Sequence, residues 1–184
     1  MKSKIIFIFQ LVLFFGFSLN AQKVFTKNGS VSFFSKSTLE NIEASNNQVM
    51  SVLSPSTGDL QFSVLIKSFH FIKSLMEEHF NENYMESDKF PKASFKGKIN
   101  DLSKVNFTTD GSYPVDVSGD LSIHGVTQKV TTRGTLVIKT GSITATAKFN
   151  LKLADYKISI PNVVKDNIAE VIEINLSCIY DQKM

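Results

Sequence analysis

Residues 113–123 read YPVDVSGDLSI, and apolar and polar positions alternate along the whole stretch. Strict alternation is typical of a β-strand that turns one face to water and the other to a core. Gly119 stands in the middle of the apolar face, although a glycine weakens a strand and packs nothing. We interpret this face as the inner wall of a sheet that curls around space.

The same alternation recurs in other long segments, namely residues 60–67, 92–99, 130–138, 142–153 and 168–180. Turn sequences such as Asp110-Gly111, His124-Gly125 and Thr140-Gly141 separate the later segments. Long strands joined by tight turns indicate an antiparallel up-and-down meander, and closing it into a barrel removes the exposed edges. The sequence therefore predicts an all-β fold, an antiparallel up-and-down barrel of about eight long strands, which leaves room inside for one small ligand.

Two asparagine-containing pairs predict tight hairpins before these segments. Asn28-Gly29 and Asn46-Asn47 each separate two short extended runs within residues 24–53. An Asn-Gly pair between extended runs is a strong hairpin signal. We therefore expect one hairpin at each pair.

One segment has helical rather than strand periodicity. Within residues 71–84 the apolar side chains recur at spacings of three and four, at Ile72, Leu75, Met76 and Phe80. This pattern predicts one amphipathic helix of three to four turns, which we place at an end of the barrel. Its apolar stripe either covers that end as ordinary core or acts as a lid whose side chains touch a ligand.

The first 21 residues have the pattern of a secretory signal peptide. A basic start is followed by an apolar run and by Ala21, a small residue at which cleavage is expected. We therefore expect a signal peptide at residues 1–21, a single domain at residues 22–184, and a periplasmic or secreted location. Removing the segment takes away two of the 20 Lys and Arg residues and none of the 17 acidic ones, which leaves a nearly neutral chain with no basic stripe for nucleic acid.

The chemistry-bearing residues are few, and they predict no catalytic residue, no cofactor and no metal. His79 lies near two glutamates on the predicted helix, but Met76 stands where a di-metal carboxylate site needs a glutamate. For His124 we favour a structural hydrogen bond at its turn, with contact to a ligand head group as the alternative. Cys178 is alone, so no intrachain disulfide forms, and it is most simply a buried small apolar side chain.

Small residues on the apolar faces allow two interpretations. They let a bent barrel close or lie beneath bulky partners, or they clear an apolar channel that binds a long, thin apolar molecule. On the second interpretation, the predicted ligand-binding residues are Phe62, Val64, Leu75, Met76, Phe80, Phe95, Val117, Gly119, Leu121, Leu136, Ala145, Ala147, Phe149 and Ile174.

Three segments together resemble the YceI-like family of exported bacterial proteins. They are His79-Phe80 leading to FPKASF at residues 90–95, VSGDLSIHGVT at residues 117–127, and the closing region at residues 149–179. The resemblance covers nearly all of the chain after residue 21. It implies a lipocalin-like barrel that holds an isoprenoid or another long-chain lipid in its lumen, in a periplasmic or secreted setting.

The predicted function is therefore an exported carrier or storage protein for a long apolar small molecule, rather than an enzyme. One alternative is a small outer-membrane barrel, but the chain has no Trp and only four Tyr for the aromatic girdles of such a barrel, so we expect no stable membrane insertion. A further alternative is a lipid-modifying enzyme that uses a histidine in the lumen. A homodimer is left open.

Overall fold

A computed structural model describes residues 22–37 and 39–184, and the predicted signal peptide lies outside them. Within those residues the strands are antiparallel and belong to one sheet. They are β1 Val24–Ser35, β2 Ile42–Leu53, β3 Asp59–Leu65, β4 His70–Phe71, β5 Lys92–Ile99, β6 Gly111–Ile123, β7 Val126–Lys139, β8 Ser142–Lys152, β9 Val171–Tyr180 and β10 Gln182–Lys183.

The sheet closes into a barrel because β1 pairs with β2 on one side and with β9 on the other. Around the barrel the order is β1, β2, β3, β5, β6, β7, β8 and β9. Neighbours in space are thus neighbours in sequence, except for the two-residue β4, which pairs with β2, and β10, which pairs with β1. The predicted fold class, an up-and-down antiparallel barrel of about eight strands, is confirmed.

The two ends of the barrel differ. One end, here called the base, holds the turns between β2 and β3, β5 and β6, and β7 and β8. Two longer segments lie at the other end, and these covering segments are residues 66–91 and 153–170. They include 3₁₀ turns at Ile66–Ser68, Leu153–Tyr156 and Asn162–Val164, and a further turn, Leu102–Lys104, lies near the base.

The helix α1, Ser74–His79, lies in the first covering segment and continues into one π-helical turn, Phe80–Tyr84. The prediction of a helix at a barrel end is confirmed, but the helix begins three residues later than expected. Phe71 instead pairs with Ala44 as part of β4, and its backbone N–H donates to the Glu77 carboxylate at 3.2 Å. Strand pairing therefore holds the chain extended up to the start of the helix.

The expected hairpin at Asn28-Gly29 is wrong, because β1 runs straight through it. The register with β2 shifts on both sides of Gly29, which is the mark of a β-bulge. An ideal Cβ on Gly29 would lie 2.4 Å from Cys178 Sγ and 3.1 Å from Val49 O. Glycine is required here because the strands on both sides approach the backbone closely.

The expected hairpin at Asn46-Asn47 is also wrong, since β2 is continuous. Asn46 is completely buried. Its Nδ2 donates to Leu65 O and its Oδ1 accepts from Gln48 N, both at 2.8 Å. Asn46 pairs with Val31 of β1 directly after the shift at Gly29, so the two asparagine pairs mark one bend in the barrel wall.

Candidate functional site

An apolar cavity of about 580 Å³ lies inside the barrel. Below it the base is filled by completely or nearly completely buried side chains such as Leu53, Ile99, Ile138 and Tyr180. Above it lies a second cluster of buried side chains, here called the upper cluster, formed by Ile66, Met85, Leu151, Leu153, Tyr156 and Ile158. The cavity volume is within the usual range for small-molecule sites, about 300–1,000 Å³.

The inward rows of the strands form most of the cavity wall. Twelve of the fourteen predicted ligand-binding residues line it, namely Phe62, Val64, Met76, Phe80, Phe95, Val117, Leu121, Leu136, Ala145, Ala147, Phe149 and Ile174. Several of these side chains, such as Phe62, Leu121 and Ile174, are only half-buried although they point inward. They are accessible because the space beside them is open.

Leu75 and Gly119 do not line the cavity. Leu75 lies on the outer side of α1 with 62% of its surface exposed, and Ile72, just before the helix, is 94% exposed. Gly119 lies beneath the ring of Phe95, whose Cζ would be 2.7 Å from a Cβ placed on the glycine. Gly119 is therefore a small residue that lies beneath a bulky partner, as in the first of the two interpretations, and it does not clear a channel.

Four phenylalanine rings gather where α1 meets the barrel. Phe80 stacks on Phe33 with ring centroids 5.6 Å apart, and it contacts Phe69 at 5.5 Å and Phe71 at 5.0 Å. Aromatic pairs at these separations add to the burial of their surface. Met76, Phe80 and Tyr84 follow one another at i, i+4 spacing, so the helix presents a narrow row to the cavity.

Several lining residues were missed by sequence reasoning. Phe33, Ile172 and Leu176 lie on inward rows of β1 and β9, and the alternation of these strands was a sufficient signal to find them. Ile158, Val164 and Ile168 lie in the irregular covering segment 153–170, where no period marks the inward side.

His124 joins both covering segments to the barrel. Its Nε2 is 2.8 Å from Glu86 Oε2, its Nδ1 is 3.2 Å from Tyr156 O, and its ring meets that of Phe90 edge-on at 4.7 Å. The residue has φ of 51° and is followed by Gly125 at 72°, as a two-residue type I′ hairpin turn requires. The ring lies 11% exposed and does not line the cavity.

The polar groups around the cavity offer little chemistry. Burial raises the pKa of the Tyr84 hydroxyl, and burial together with the Asp155 carboxylate raises the pKa of the Tyr156 hydroxyl, so both remain protonated donors at neutral pH. His79 is exposed at the rim. Among residues 22–37 and 39–184, no group of three or more His, Cys, Asp or Glu side chains could hold a metal ion.

The thiol of Cys178 lies in the base and is inert. Cys178 is completely buried, and burial raises the pKa of its thiol to about 12. Because the thiolate is the reactive form of cysteine, the thiol does not act as a nucleophile near neutral pH.

Sequence comparison identifies the family. The family model of the YceI-like domain matches residues 7–179. The chain belongs to the YceI-like family. The resemblance of residues 79–95, 117–127 and 149–179 to that family is thereby confirmed. No protein of curated function matches the chain in sequence.

Solved structures share this YceI-like barrel at low identity. A polyisoprenoid-binding domain from Saccharophagus degradans, implicated in plant cell wall breakdown, is 17% identical with a TM-score of 0.74, and the match covers 87% of this chain and 97% of that one. Burkholderia cenocepacia BcnA is 17% identical with a TM-score of 0.68, covering 82% and 95%. A YceI protein of Campylobacter jejuni is 16% identical with a TM-score of 0.62, covering 80% and 88%.

The helices in residues 22–37 and 39–184 of the YceI-like chain are short. Within the part of the chain that the structure describes, none has the length and apolar character needed to cross a bilayer.

Proposed function

We propose that the protein is an exported carrier that holds one long apolar molecule, an isoprenoid or a fatty-chain lipid, in the barrel lumen and releases it unchanged. The observation that carries this proposal is the apolar cavity between the base and the upper cluster. Its walls are formed mainly by Phe, Leu, Ile, Val and Ala side chains. Transfer of an apolar chain from water to such a surface stabilises the complex by about 25 cal/mol per Å² of buried area.

Three further observations support the proposal. The family match extends over most of the chain, and a domain with the same fold is a polyisoprenoid-binding domain. The pattern of residues 1–21 supports export with cleavage after Ala21. On this proposal, the twelve predicted residues that line the cavity contact the ligand.

The outer face of the barrel favours a water-soluble carrier over the outer-membrane alternative. Asp116 pairs with Arg133 at 3.2 Å, and Asp120 pairs with Lys129 at 3.3 Å, on exposed faces of β6 and β7. On β8 and β9, Lys148 pairs with Glu173 at 2.8 Å. A membrane barrel has the opposite arrangement, with an apolar outer band and a polar interior.

The histidine positions favour binding over conversion. His124 is held by Glu86 and Tyr156 outside the cavity wall, in agreement with the structural hydrogen bond favoured from the sequence. His79 lies at the rim, and acid–base catalysis needs a substrate proton within hydrogen-bond reach and an orienting partner. A lipid-modifying enzyme is therefore one possible outcome of the following experiment and not a second proposal.

The decisive experiment is to express the full chain, purify the processed protein without detergent and analyse what it carries. Native mass spectrometry should show a mass above that of the bare chain, and organic extraction should recover a long-chain molecule. After delipidation, the protein should take up a fluorescent isoprenoid alcohol such as all-trans-retinol and return it chemically unchanged. A bare-chain mass together with no uptake of isoprenoid or fatty probes would overturn the carrier proposal, and an altered probe would favour the enzyme.

A matched pair of variants tests whether the lumen is the binding site. Ala147 lines the cavity on β8, and Thr144 lies on the outer face of the same strand, paired with Val137. Ala147→Phe should weaken retinol binding by roughly tenfold or more, because one large side chain removes more than 1.4 kcal/mol of ligand contacts. Thr144→Phe should bind as the wild type does. Equal binding by all three proteins would place the ligand elsewhere.

A further inference from the structure

The ladder between β7 and β8 stops well before the two strands end. The β6–β7 ladder runs from Gly111 and Ile138 to Ile123 and Val126, and the β8–β9 ladder spans all of β8 except its first residue. Between β7 and β8, in contrast, pairing runs only from Lys139 and Ser142 to Gly134 and Ala147. Beyond that point residues 126–133 and 148–152 form two facing edges without a ladder between them in the described chain. We call this gap the slit.

The lining of the cavity extends to both edges of the slit. On β3, β6 and β9 only every second residue, or fewer, lines the cavity, whereas consecutive residues line it at 93–95 on β5 and over longer stretches of β7 and β8, including residues 130–132 and 149–152. Successive side chains of a strand point to opposite faces. At residues 130–132 and 149–152 the lining residues of both faces stand at the edges of the slit, where no ladder lies between β7 and β8.

Packing and strand pairing stand in the way of a ligand at the base and along the laddered parts of the wall. The base is filled by buried side chains. At the covered end the phenylalanine group around Phe80 and the upper cluster pack over the cavity, and His79, Val164 and Ile168 line its rim there. Passage through a paired part of the wall would break backbone hydrogen bonds, which are expensive to leave unmade. Widening the slit breaks no such ladder.

Both limits of the slit are defined by contacts. At its lower limit Gly134 faces Ala147, and at its upper limit Gln128 Nε2 donates to Asp155 O at 3.0 Å. Phe149 lies on the inward row at one edge and Val130 on the inward row at the other. The exposed side chains of Thr131, Asn150 and Lys152 lie on the outward rows.

We propose that the slit is the portal through which the apolar ligand enters and leaves the lumen. The inference rests on the proposed carrier function and adds the route by which the ligand enters and leaves the lumen. The portal fits a flexible, unbranched or thin chain that can pass lengthwise between two strand edges. The apolar edge residues Val130 and Phe149 guide the chain inward, and the polar outer rows meet water.

The test is a cleavable covalent bridge across the slit. Thr131→Cys and Asn150→Cys place one thiol on each outer edge, and a bis-maleimide with an internal disulfide joins them. The native Cys178 does not interfere, because it is completely buried and burial raises the pKa of its thiol to about 12. The control bridges Val137→Cys and Thr144→Cys, which are directly paired below the slit.

Retinol uptake and release are then followed by stopped-flow fluorescence. Bridging the slit should lower the association and dissociation rate constants by the same factor, about tenfold or more, with Kd unchanged, because the bridge raises the barrier between two unaltered end states. Cleaving the bridge with a reductant should restore both rates, and the control bridge should change neither. An independent version of the test blocks the slit with a bulky adduct, attached to the thiol of the single variant Asn150→Cys and removed afterwards.

The possible failures are distinguishable. If the unbridged proteins do not bind retinol or a fatty-chain probe, the carrier function itself fails. If they bind and the bridged protein exchanges ligand at the control rate, the carrier stands and the portal is overturned. A bridge that slows only dissociation, and so changes Kd, would show that the slit holds the bound ligand, which also overturns the portal.

Discussion

At the residue scale, Gly29 and Cys178 form a contact whose energy can be measured. A methyl group on Gly29 would overlap Cys178 Sγ, at 2.4 Å, and press on Val49. Gly29→Ala should therefore lower the free energy of unfolding by about 1–3 kcal/mol, the usual cost of overpacking. In a Cys178→Ala background the same substitution should cost less, since the sulfur atom is gone. Urea unfolding of the four proteins gives the coupling, and equal costs in both backgrounds would contradict the contact.

A second prediction concerns alkaline pH. Burial raises the pKa of the Cys178 thiol to about 12, from 9.0, and burial also raises the pKa of the Tyr180 hydroxyl, which hydrogen-bonds Ser51 at 2.7 Å. Above about pH 9 the folded state therefore binds more protons than the unfolded state, and the free energy of unfolding falls as the pH rises. The stabilisation of the folded state that comes from these two raised pKa values is fully present below about pH 9.

The measurement is urea unfolding from pH 7 to about pH 11. Cys178→Ala should make the decline shallower and start at higher pH, because only the Tyr180 hydroxyl remains of the pair. A decline of unchanged slope in Cys178→Ala would show that other groups cause it.

The sequence located most of the cavity wall but not every residue of it. Alternation fixes which side chains share a face, so Phe62, Leu136 and Ala147 could be assigned to the inside from a period of two. It does not show which residues of that face contact one another. Gly119 belongs to the inward-facing row of β6, yet the ring of Phe95 covers it. Such packing depends on a rotamer, which a pattern of residue types does not specify.

At the element scale, α1 should be attached to the barrel mainly through Phe80. Phe80 contacts three other phenylalanine rings, while Leu75 on the same helical segment is 62% exposed. Phe80→Ala should lower the free energy of unfolding by about 3 kcal/mol or more, and Leu75→Ala should change it by less than about 0.5 kcal/mol. Thermal or urea unfolding measures both. Equal effects would mean that the helix packs on a different face.

His124 provides a second attachment at this scale. His124→Asn keeps a residue type that tolerates positive φ but is too short to reach both Glu86 and the Tyr156 carbonyl. Hydrogen exchange of the covering segments, residues 66–91 and 153–170, should accelerate, with the strands of the base unaffected. Acceleration throughout the barrel would show that His124 stabilises the whole fold instead.

The elements that the sequence misplaced have a common cause. Both expected hairpins lie on β1 and β2, and the predicted first helical residue, Phe71, belongs to β4. In each case a partner distant along the chain decided the local conformation: Cys178 of β9 at Gly29, the Leu65 carbonyl at Asn46 and β2 at Phe71. The turns at His124-Gly125 and Thr140-Gly141 were predictable because their positive φ angles are a local requirement.

At the scale of the whole molecule, ligand and stability should be linked. A molecule that binds only the folded barrel stabilises it by about 2.7 kcal/mol at a free concentration 100 times Kd. The melting temperature of delipidated wild-type protein should therefore rise with added retinol, and that of Ala147→Phe should rise less at the same concentration. Calorimetry or fluorescence melting tests this, and identical shifts would argue that retinol acts outside the lumen.

The barrel was predictable as a class, because long alternating segments and tight turns leave few other ways to remove sheet edges, and the helix α1 was predictable from its period. The slit was not predictable. The alternation of β7 and β8 continues past Gly134 and Ala147, so the pattern gives no sign that their pairing stops there.

Because β1 pairs with both β2 and β9, the strands form a closed ring in which the first strand of the chain has no special place. Val24 pairs with Leu53 on one side and with Lys183 on the other, so Val24 and Lys183 lie side by side at the base. A short peptide could join them, and the chain could be opened instead at Thr140-Gly141, where the glycine has open space around it. Such a circular permutant would keep all the barrel's strand neighbours except the covalent link between β7 and β8. The new free ends would lie at the base, separated from the slit by the paired stretch from Lys139 and Ser142 to Gly134 and Ala147. The order of the strands along the chain would then be separated from the geometry of the lumen.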